Sequence, residues 1–229
     1  MNYDQTLSRV ETYFDKTALK TWERLTSKAP VSRIRQSVRD GRNQMRSKLI
    51  SQLPKDLSGA RVLDAGCGTG QLSEELALRG CQVVAADISP SLLNVARSRI
   101  PDHLHHNIEF VAGDMVNSEL GKFDYVIAMD SLIYYRRNDL GAILVELSSR
   151  ASESIYFTLA PKPMLLMLMW YIGKLAPKRD RSPVMVPHSF KSIERELNEK
   201  LELSDLGAVS YTHLRAHETR HDLVCRLLL

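Results

Sequence analysis

Three glycines crowd the stretch RVLDAGCGTGQL, which spans residues 61–72. Gly66, Gly68 and Gly70 follow an apolar run that ends at Asp64. Glycine is needed where a backbone must turn tightly and lie close to a ligand, because a Cβ would block both. The dinucleotide fingerprint G-x-G-x-x-G is the nearest rival, but the third glycine comes one residue early here and no Walker lysine follows. The turn therefore indicates a nucleotide-like ligand and argues against a phosphate cradle.

Carboxylates follow the first three predicted strands. Asp64 could hold a ligand ammonium, directly or through water, Asp87 is within reach of a ribose diol, and Asp114 could accept from an adenine amino group. A ligand with these three groups and no phosphate is S-adenosylmethionine. The pattern resembles the class I methyltransferases that use this methyl donor. The candidate cofactor-binding residues are Asp64, Gly66, Gly68, Gly70, Asp87, Ile88, Asp114, Met115 and Met129.

The elements that must position these residues alternate between apolar strands and helices. Strands are predicted over residues 61–66, 81–87, 108–114, 122–130 and 152–161. Helices are predicted over residues 71–80, 89–100 and 138–150. This alternation implies a parallel sheet covered on both faces. We therefore expect an α/β, Rossmann-like class I methyltransferase fold, mostly parallel, with a helical N-terminal arm and a helical lid insertion.

A basic segment precedes the glycine turn. Residues 1–61 carry 13 Lys/Arg against 6 Asp/Glu, while the whole chain has a net charge of +4. Apolar residues recur at helical spacing over residues 31–53, with arginines on much of the remaining surface. The arm is therefore expected to meet an anionic partner, with a solvated helix face as the alternative.

Composition places the chain among ordinary globular proteins, with 44% hydrophobic and 25% charged residues. The N-terminus has no apolar signal core, and the most apolar window, residues 163–177, falls short of the ~20 residues that a membrane span needs. Cys67, Cys81 and Cys225 lack metal-ligand spacing. These features favour a reduced, cytoplasmic setting.

Segments outside the sheet resemble one family across most of the chain, the magnesium protoporphyrin IX methyltransferases of chlorophyll and bacteriochlorophyll synthesis. The similar stretches are residues 13–27, 31–54, 123–135, 157–162 and 172–187. Thr26 and Ser27, after Trp-x-Arg-Leu, resemble the proteobacterial members. The resemblance implies transfer of a methyl group from S-adenosylmethionine to one propionate of the magnesium porphyrin, which gives the monomethyl ester.

The implied acceptor agrees with the residues that the sequence offers. A carboxylic acid with a pKa near ~4 is already ionised at neutral pH and needs no strong general base. The sequence shows no cysteine nucleophile in context, no His–carboxylate pair at a recognisable spacing and no metal-ligand cluster. Catalysis by positioning is therefore expected. Magnesium would belong to the substrate, so we expect no protein-bound metal.

The resemblance also suggests where the acceptor lies. Family members commonly carry a catalytic His at the place of Tyr134, and plant and cyanobacterial members carry a catalytic Tyr near the place of Thr26; neither residue is present here. A phenol can hydrogen-bond a propionate but carries no positive charge at neutral pH. The candidate catalytic residues are Tyr134 and Tyr13. The candidate residues for binding the anionic porphyrin are Arg33, Arg35, Arg39 and Arg42.

Four segments are expected. They are a helical arm over residues 1–58, a cofactor-binding core over 59–161, a lid over 162–207 and a non-native tail over 208–229. The tail contains SYTHLRAHET, which resembles a read-through sequence appended to unrelated proteins, and His213, His217 and His221 within the tail are discounted as a metal site for that reason. Without its two closing strands, the sheet would keep an unpaired edge.

Two other functions compete with this interpretation. A methyltransferase for a quinone or phenol would need a base near the sulfonium, and Tyr134 is a poor one. A non-catalytic module could instead hold the cofactor or a tetrapyrrole for a partner enzyme. No Asn/Asp-Pro-Pro-aromatic motif follows the fourth strand, which argues against nucleic acid as the acceptor. A further expected contact is with magnesium chelatase. The apolar residues 164–173 are expected to form an apolar platform for the porphyrin or a face on the surface of the photosynthetic membrane, with packing of the lid against the core as the alternative.

Overall fold

The computed structural model describes residues 2–160, 183, 185–197, 202–213 and 218–228. A seven-stranded sheet with strand order β3-β2-β1-β4-β5-β7-β6 forms its centre. The strands are β1 (Arg61–Ala65), β2 (Gln82–Asp87), β3 (Ile108–Ala112), β4 (Phe123–Ala128), β5 (Ala151–Leu159), β6 (Glu202–His213) and β7 (Glu218–Leu228). The first five strands pair in parallel. The predicted mostly parallel sheet is confirmed.

Seven α-helices lie within the described residues. They are α1 (Tyr3–Thr12), α2 (Leu19–Leu25), α3 (Arg33–Ser51), α4 (Gln71–Ala77), α5 (Pro90–Arg99), α6 (Arg137–Ser148) and α7 (Phe190–Leu197). A π-helical turn, Tyr13–Thr17, joins α1 to α2. Ser89 caps α5, since its side chain accepts from the N–H of Leu92 and Pro90 begins the helix. Within that described part, no helix is both long and apolar enough to cross a membrane.

The helices cover both faces of the sheet. On one face, Met45 of α3 and Leu76 of α4 pack in a single cluster with Val62 of β1. On the other face, Leu144 of α6 and Ile193 of α7 pack with Leu63, the next residue of β1. Because successive strand residues point to opposite faces, a strand that is covered on both sides reads as an uninterrupted apolar run.

The expectation of an unpaired edge at β5 is wrong. β7 runs antiparallel to β5 from Ser154↔Leu228 to Leu159↔Leu223, and β6 pairs with the far side of β7. Val224 is buried in the cluster on one face of the sheet, whereas Cys225 and Leu227 are buried in the cluster on the other. β7 therefore closes the edge of β5 with side chains that are buried on both faces of the sheet.

The N-terminal arm lies across the carboxyl ends of the strands. Asp15, in the π-helical turn, accepts hydrogen bonds from Ser89 Oγ (2.9 Å) and Ser91 N (3.0 Å) at the start of α5. Arg99, at the end of α5, donates to Thr26 Oγ1 (2.9 Å). Both ends of α5 therefore hold the arm against the core. The predicted apolar platform at residues 164–173 and most of the predicted lid lie outside the described residues.

Candidate active site

A cleft lies where the glycine turn meets the carboxyl ends of β1, β2 and β4. It encloses about 880 Å³ of space, including the open solvent at its mouth. It lies between β1 and β4, where strand order reverses and open α/β sheets bind their ligands. Eight of the nine predicted cofactor residues line it, namely Asp64, Gly66, Gly68, Asp87, Ile88, Asp114, Met115 and Met129.

Gly66 has no room for a side chain. Its φ of 86° lies in the left-handed region, and a Cβ would come within 2.4 Å of Ser131 Cβ. Its N–H donates to the carbonyl oxygen of Ala86 (2.8 Å), which ties the turn to β2. The close contact with Ser131 brings the loop after β4 directly over the glycine turn.

Gly70, the ninth predicted residue, serves helix packing instead of lining the cleft. It precedes α4 with φ 79°, and an added Cβ would meet Ile100 Cδ1 at 2.8 Å and Ala96 Cβ at 2.9 Å. The third glycine of the motif thus lets α4 and α5 pack closely. Sequence spacing could not separate this role from ligand contact, because both require the same residue type.

Two buried carboxyl groups stand beside the turn. Asp87 accepts from the backbone N–H groups of Gly68 and Ser89, each at 2.8 Å, which fixes its orientation at the end of β2. Asp64 accepts from Ser73 Oγ at 2.6 Å. Burial raises the pKa of Asp64 to about 7 and that of Asp87 to about 6, and the charge of Asp87 contributes to the shift at Asp64.

Asp114 has a partner from the arm. The hydroxyl of Tyr3 donates to both of its carboxylate oxygens, at 2.8 and 2.6 Å. The Tyr3 ring stacks on Tyr135, with 5.4 Å between the ring centroids. Leu7 and Val10 of α1 line the cleft on the same side. The first helix therefore forms a roof over the end of the cleft where adenine is expected.

An aromatic cluster from the arm and the loop after β4 forms another part of the cleft wall. Phe14 packs edge-on against Trp22 (5.7 Å) and Tyr134 (5.9 Å), and all three rings line the cleft. Tyr13 packs against Phe14 from outside the cleft wall, at 5.1 Å. The structure thus brings Tyr134 to the cleft and leaves Tyr13 behind the cluster.

The four predicted arginines of α3 have different surroundings. Arg33 and Arg35 are exposed, outside the cleft. Arg39 donates to the carbonyl oxygens of Leu25, Arg24 and Ala29 (2.9, 3.0 and 2.9 Å), which closes the loop between α2 and α3. Arg42 alone of the four lines the cleft, with an ion pair to Asp130 and its guanidinium 4.7 Å from the centre of the Trp22 ring.

Sequence reasoning did not single out four further residues of the cleft wall. These are Trp22, Arg46, Asp130 and Ser131. Arg46 stands one helical turn beyond Arg42 and pairs with Glu75 of α4. Asp130 lies two residues after the end of β4, so its place near a strand end was an available signal. Arg42 Nε, Arg46 Nη1, Asp130 Oδ1 and Ser131 Oγ are buried atoms with no hydrogen-bond partner among the described residues.

Comparison with known proteins places the chain in one family. The family model for the magnesium-protoporphyrin IX methyltransferase C-terminus matches residues 128–217, and a methyltransferase domain model matches residues 62–152. The magnesium-protoporphyrin O-methyltransferase of Rhodobacter capsulatus is 51% identical over 201 residues, covering 87% of this chain and 90% of that protein. The chain belongs to the magnesium protoporphyrin methyltransferase family.

Two further comparisons concern the Synechocystis member of the magnesium protoporphyrin methyltransferase family. Its sequence is 30% identical over 83% of this chain and 84% of that protein. The crystal structure of the Synechocystis magnesium protoporphyrin IX methyltransferase with bound SAH matches with a TM-score of 0.77 at 26% identity, over 96% of this chain and 98% of that chain. The Rossmann-like class I methyltransferase fold is confirmed.

Proposed function

We propose that this chain is an S-adenosylmethionine-dependent O-methyltransferase of (bacterio)chlorophyll biosynthesis. It esterifies one propionate of magnesium protoporphyrin IX to the monomethyl ester. The observation that carries the proposal is the 51% identity to the Rhodobacter capsulatus enzyme across 87% of the chain. The cleft at the sheet's switch point, lined by buried carboxyl groups and by arginines, supports it.

The cleft wall fits S-adenosylmethionine. Asp87 stands at the end of β2, where its carboxylate can accept from a ribose diol, and Met115 and Ile88 supply apolar surface for the adenine. Asp114 keeps a fixed orientation through Tyr3. When bound, this donor supplies a methyl group on a positively charged sulfur. The protein contributes the positions of the two partners and the exclusion of water.

Arg42 and Tyr134 are the residues that we assign to the acceptor. Both line the cleft beside the aromatic cluster, since Arg42 stacks on Trp22 and Tyr134 packs against Phe14. A propionate is anionic at neutral pH, so no proton has to leave it before it attacks the methyl group. A guanidinium and a phenol can orient the carboxylate by donating to it. The contact of Tyr13 with the acceptor stays a prediction.

The arm provides the means to exclude water. Its apolar residues Leu7, Val10 and Phe14 face the cleft, and Asp15 and Thr26 fasten it to α5. Removal of water from a carboxylate strengthens every electrostatic contact around it. We therefore propose that the arm closes over the two bound substrates and holds the carboxylate and the methyl group close together.

The Tyr134 hydroxyl is testable without loss of packing. Tyr134→Phe keeps the ring against Phe14 but removes the donor, so kcat/KM for magnesium protoporphyrin is expected to fall about tenfold with the Kd for S-adenosylhomocysteine unchanged. Steady-state kinetics and calorimetry measure the two quantities. Tyr125→Phe, a change of the same kind in β4 away from the cleft, is the control. A kcat/KM within twofold of the parent chain would exclude the hydroxyl from acceptor contact.

The raised pKa values of Asp64 and Asp87 predict how the affinity for the cofactor changes with pH. A carboxyl whose pKa is raised by folding stabilises the unliganded fold fully below the ordinary value of 3.8, and this stability is lost as the pH rises through 6 and 7. The ribose diol favours the ionised form of Asp87, whose pKa is raised to about 6. The affinity for S-adenosylhomocysteine is therefore expected to rise about fivefold from pH 5 to pH 6 and to level off above about pH 7. Calorimetry in two buffers should also detect proton release, and a flat profile would contradict this assignment.

We also propose the arm, core, lid and tail as the organisation of the chain. The division into an arm and a core is supported by the contacts that α1, α2 and α3 make with the cleft. The tail from residue 208 remains a predicted replacement of the native ending. Resequencing the 3′ end of the coding region is expected to give a different reading after about residue 207. If resequencing gives the same coding sequence for residues 208–229, this proposal is disproved.

Two contacts extend the proposal. Magnesium porphyrin is a large apolar ring, which favours direct transfer from magnesium chelatase over release into water. The apolar residues 164–173 are followed by the sequence KRDR at residues 178–181, which has a net positive charge, and together they support peripheral contact with an anionic membrane surface. Both segments lie outside the described residues.

The decisive experiment is incubation with S-adenosylmethionine labelled in its methyl group and magnesium protoporphyrin IX. The expected product is a labelled monomethyl ester that chromatography separates from the free acid. A phenolic quinone precursor serves as the alternative acceptor in a parallel reaction. Tight binding of S-adenosylhomocysteine without any ester would disprove the proposed acceptor and leave the cofactor site standing.

A further inference from the structure

One hydroxyl of the arm reaches the end of the cleft where adenine is expected. Tyr3 begins α1, and a capping box fixes the start of this helix, since Asn2 Oδ1 accepts from Gln5 N (3.0 Å) and Gln5 Oε1 accepts from Asn2 N (3.1 Å). The Tyr3 ring stacks on the buried Tyr135, and its hydroxyl donates to both carboxylate oxygens of Asp114. A donor from the arm thus meets the carboxylate that is expected to accept from the adenine amino group.

The loop that carries Asp114 is held from the core side by other contacts. Arg150, which is buried, donates to the carbonyl oxygens of Met115 (3.2 Å) and Asn117 (2.6 Å). The N–H of Val116 donates to Asp114 Oδ1 at 3.1 Å. Core contacts therefore fix the backbone of this loop, whereas the half-buried carboxylate takes its side-chain donor from Tyr3.

The hydrogen bonds around this carboxylate leave room for one kind of ligand group. A carboxylate only accepts, and its two oxygens offer about four lone-pair positions. A hydroxyl shared between both oxygens and one backbone N–H leave a position for a further donor. Burial and the hydrogen bond to Asp114 raise the pKa of Tyr3 well above its usual value, so the hydroxyl keeps its proton and stays a donor.

We propose that Tyr3 is a positioning residue for the base of the cofactor, which holds the Asp114 carboxylate with a free acceptor position towards the 6-amino group and thereby selects adenine. The proposal rests on the proposed function in taking S-adenosylmethionine as the methyl donor. Without the hydroxyl, the half-buried carboxylate is free to turn towards water, and the amino group then contributes less to binding. The arm thus takes part in the choice of the methyl donor.

Two ligands that differ at one group test this role. S-adenosylhomocysteine carries the 6-amino group, and its purine riboside analogue carries a hydrogen atom in the same place. Calorimetry on the full chain should show that the parent binds the analogue about 10- to 100-fold more weakly, because the amino group donates to a charged acceptor. Tyr3→Phe keeps the stacked ring, and it should weaken S-adenosylhomocysteine about tenfold and the analogue little, so that the ratio of the two constants falls about tenfold.

Two controls show whether Tyr3 acts through Asp114. In an Asp114→Asn background, the added Tyr3→Phe change should leave the ratio of the two constants unaltered. Tyr125→Phe, on β4 and outside the cleft, should leave both constants of the parent unchanged. Tyr3→Phe removes a single oxygen atom, and circular dichroism checks the fold of each variant.

The possible outcomes separate this proposal from the proposed function. Weakening of both ligands by the same factor in Tyr3→Phe would show that the hydroxyl only supports packing, which overturns the selective role. A ratio near one in the parent would also overturn it, while the cofactor site would stand. If the parent chain binds neither ligand, the proposed function fails as well.

Discussion

Asp87→Asn is expected to weaken S-adenosylhomocysteine more than about a hundredfold and to reduce methyl transfer in proportion. The carboxylate accepts from two backbone N–H groups, those of Gly68 and Ser89, and faces the cleft where the ribose diol is expected. An amide offers one acceptor oxygen, and its NH₂ group would face a backbone donor. Two hydrogen bonds to an ionised acceptor, each of about 1.5–3 kcal/mol, give this magnitude.

The measurements are the Kd from calorimetry and kcat/KM from the labelled-methyl assay, with circular dichroism as the check on folding. Asp102→Asn is the matched control, because Asp102 is exposed at the start of a 3-10 turn outside the cleft. It should leave both constants unchanged. A folded Asp87→Asn chain that binds S-adenosylhomocysteine within threefold of the parent would show that Asp87 has no part in holding the ribose.

Local sequence patterns were enough to predict the core of the fold and the cofactor end of the cleft. Strand ends of a parallel sheet meet at one edge, so Asp64, Asp87 and Asp114 could be placed together from strand order alone. The glycine turn and Asp87 lie within about two dozen residues of each other, in one β-α-β unit. Their arrangement follows from that unit and needs no knowledge of distant contacts.

The position of the arm over the cleft could not be predicted from local sequence patterns. The Tyr3–Asp114 bond joins residues 111 apart in sequence, and the Arg42–Asp130 pair joins residues 88 apart. Helical periodicity places the arginines of α3 on its polar side but cannot tell which of them turns towards the sheet. Arg42 and Arg39 look alike in sequence, yet one reaches the cleft and the other closes a loop.

The closing strands were missed for a related reason. β7 contains an apolar run, but it lies within residues 208–229, which are expected to be a non-native tail that lacks the closing strands. Its burial on both sides of the sheet depends on the clusters that α3 and α6 have already formed with the first five strands. A strand in this position does not need to alternate apolar and polar residues, because both of its faces are covered.

Among the arginines of the arm, Arg42 is expected to contribute most to methyl transfer. Arg42→Gln should lower kcat/KM for magnesium protoporphyrin about 10- to 100-fold, because it removes a charge-assisted contact with the propionate in a cleft shielded from water. Arg42→Lys keeps the ion pair with Asp130 but loses the unpaired Nε, so it should recover only part of the activity. Thermal unfolding of each variant separates this effect from destabilisation, since Arg42→Gln also leaves Asp130 without its partner.

The contact must be distinguished from long-range attraction of an anionic acceptor. Arg35→Gln removes the same charge from the exposed part of the same helix, and any effect that it has through attraction should vanish at high salt. The loss at Arg42 should persist there, because its side chain is only 15% exposed and is poorly screened. If the two variants lose activity equally and salt abolishes both losses, the arm attracts the porphyrin but Arg42 does not hold it.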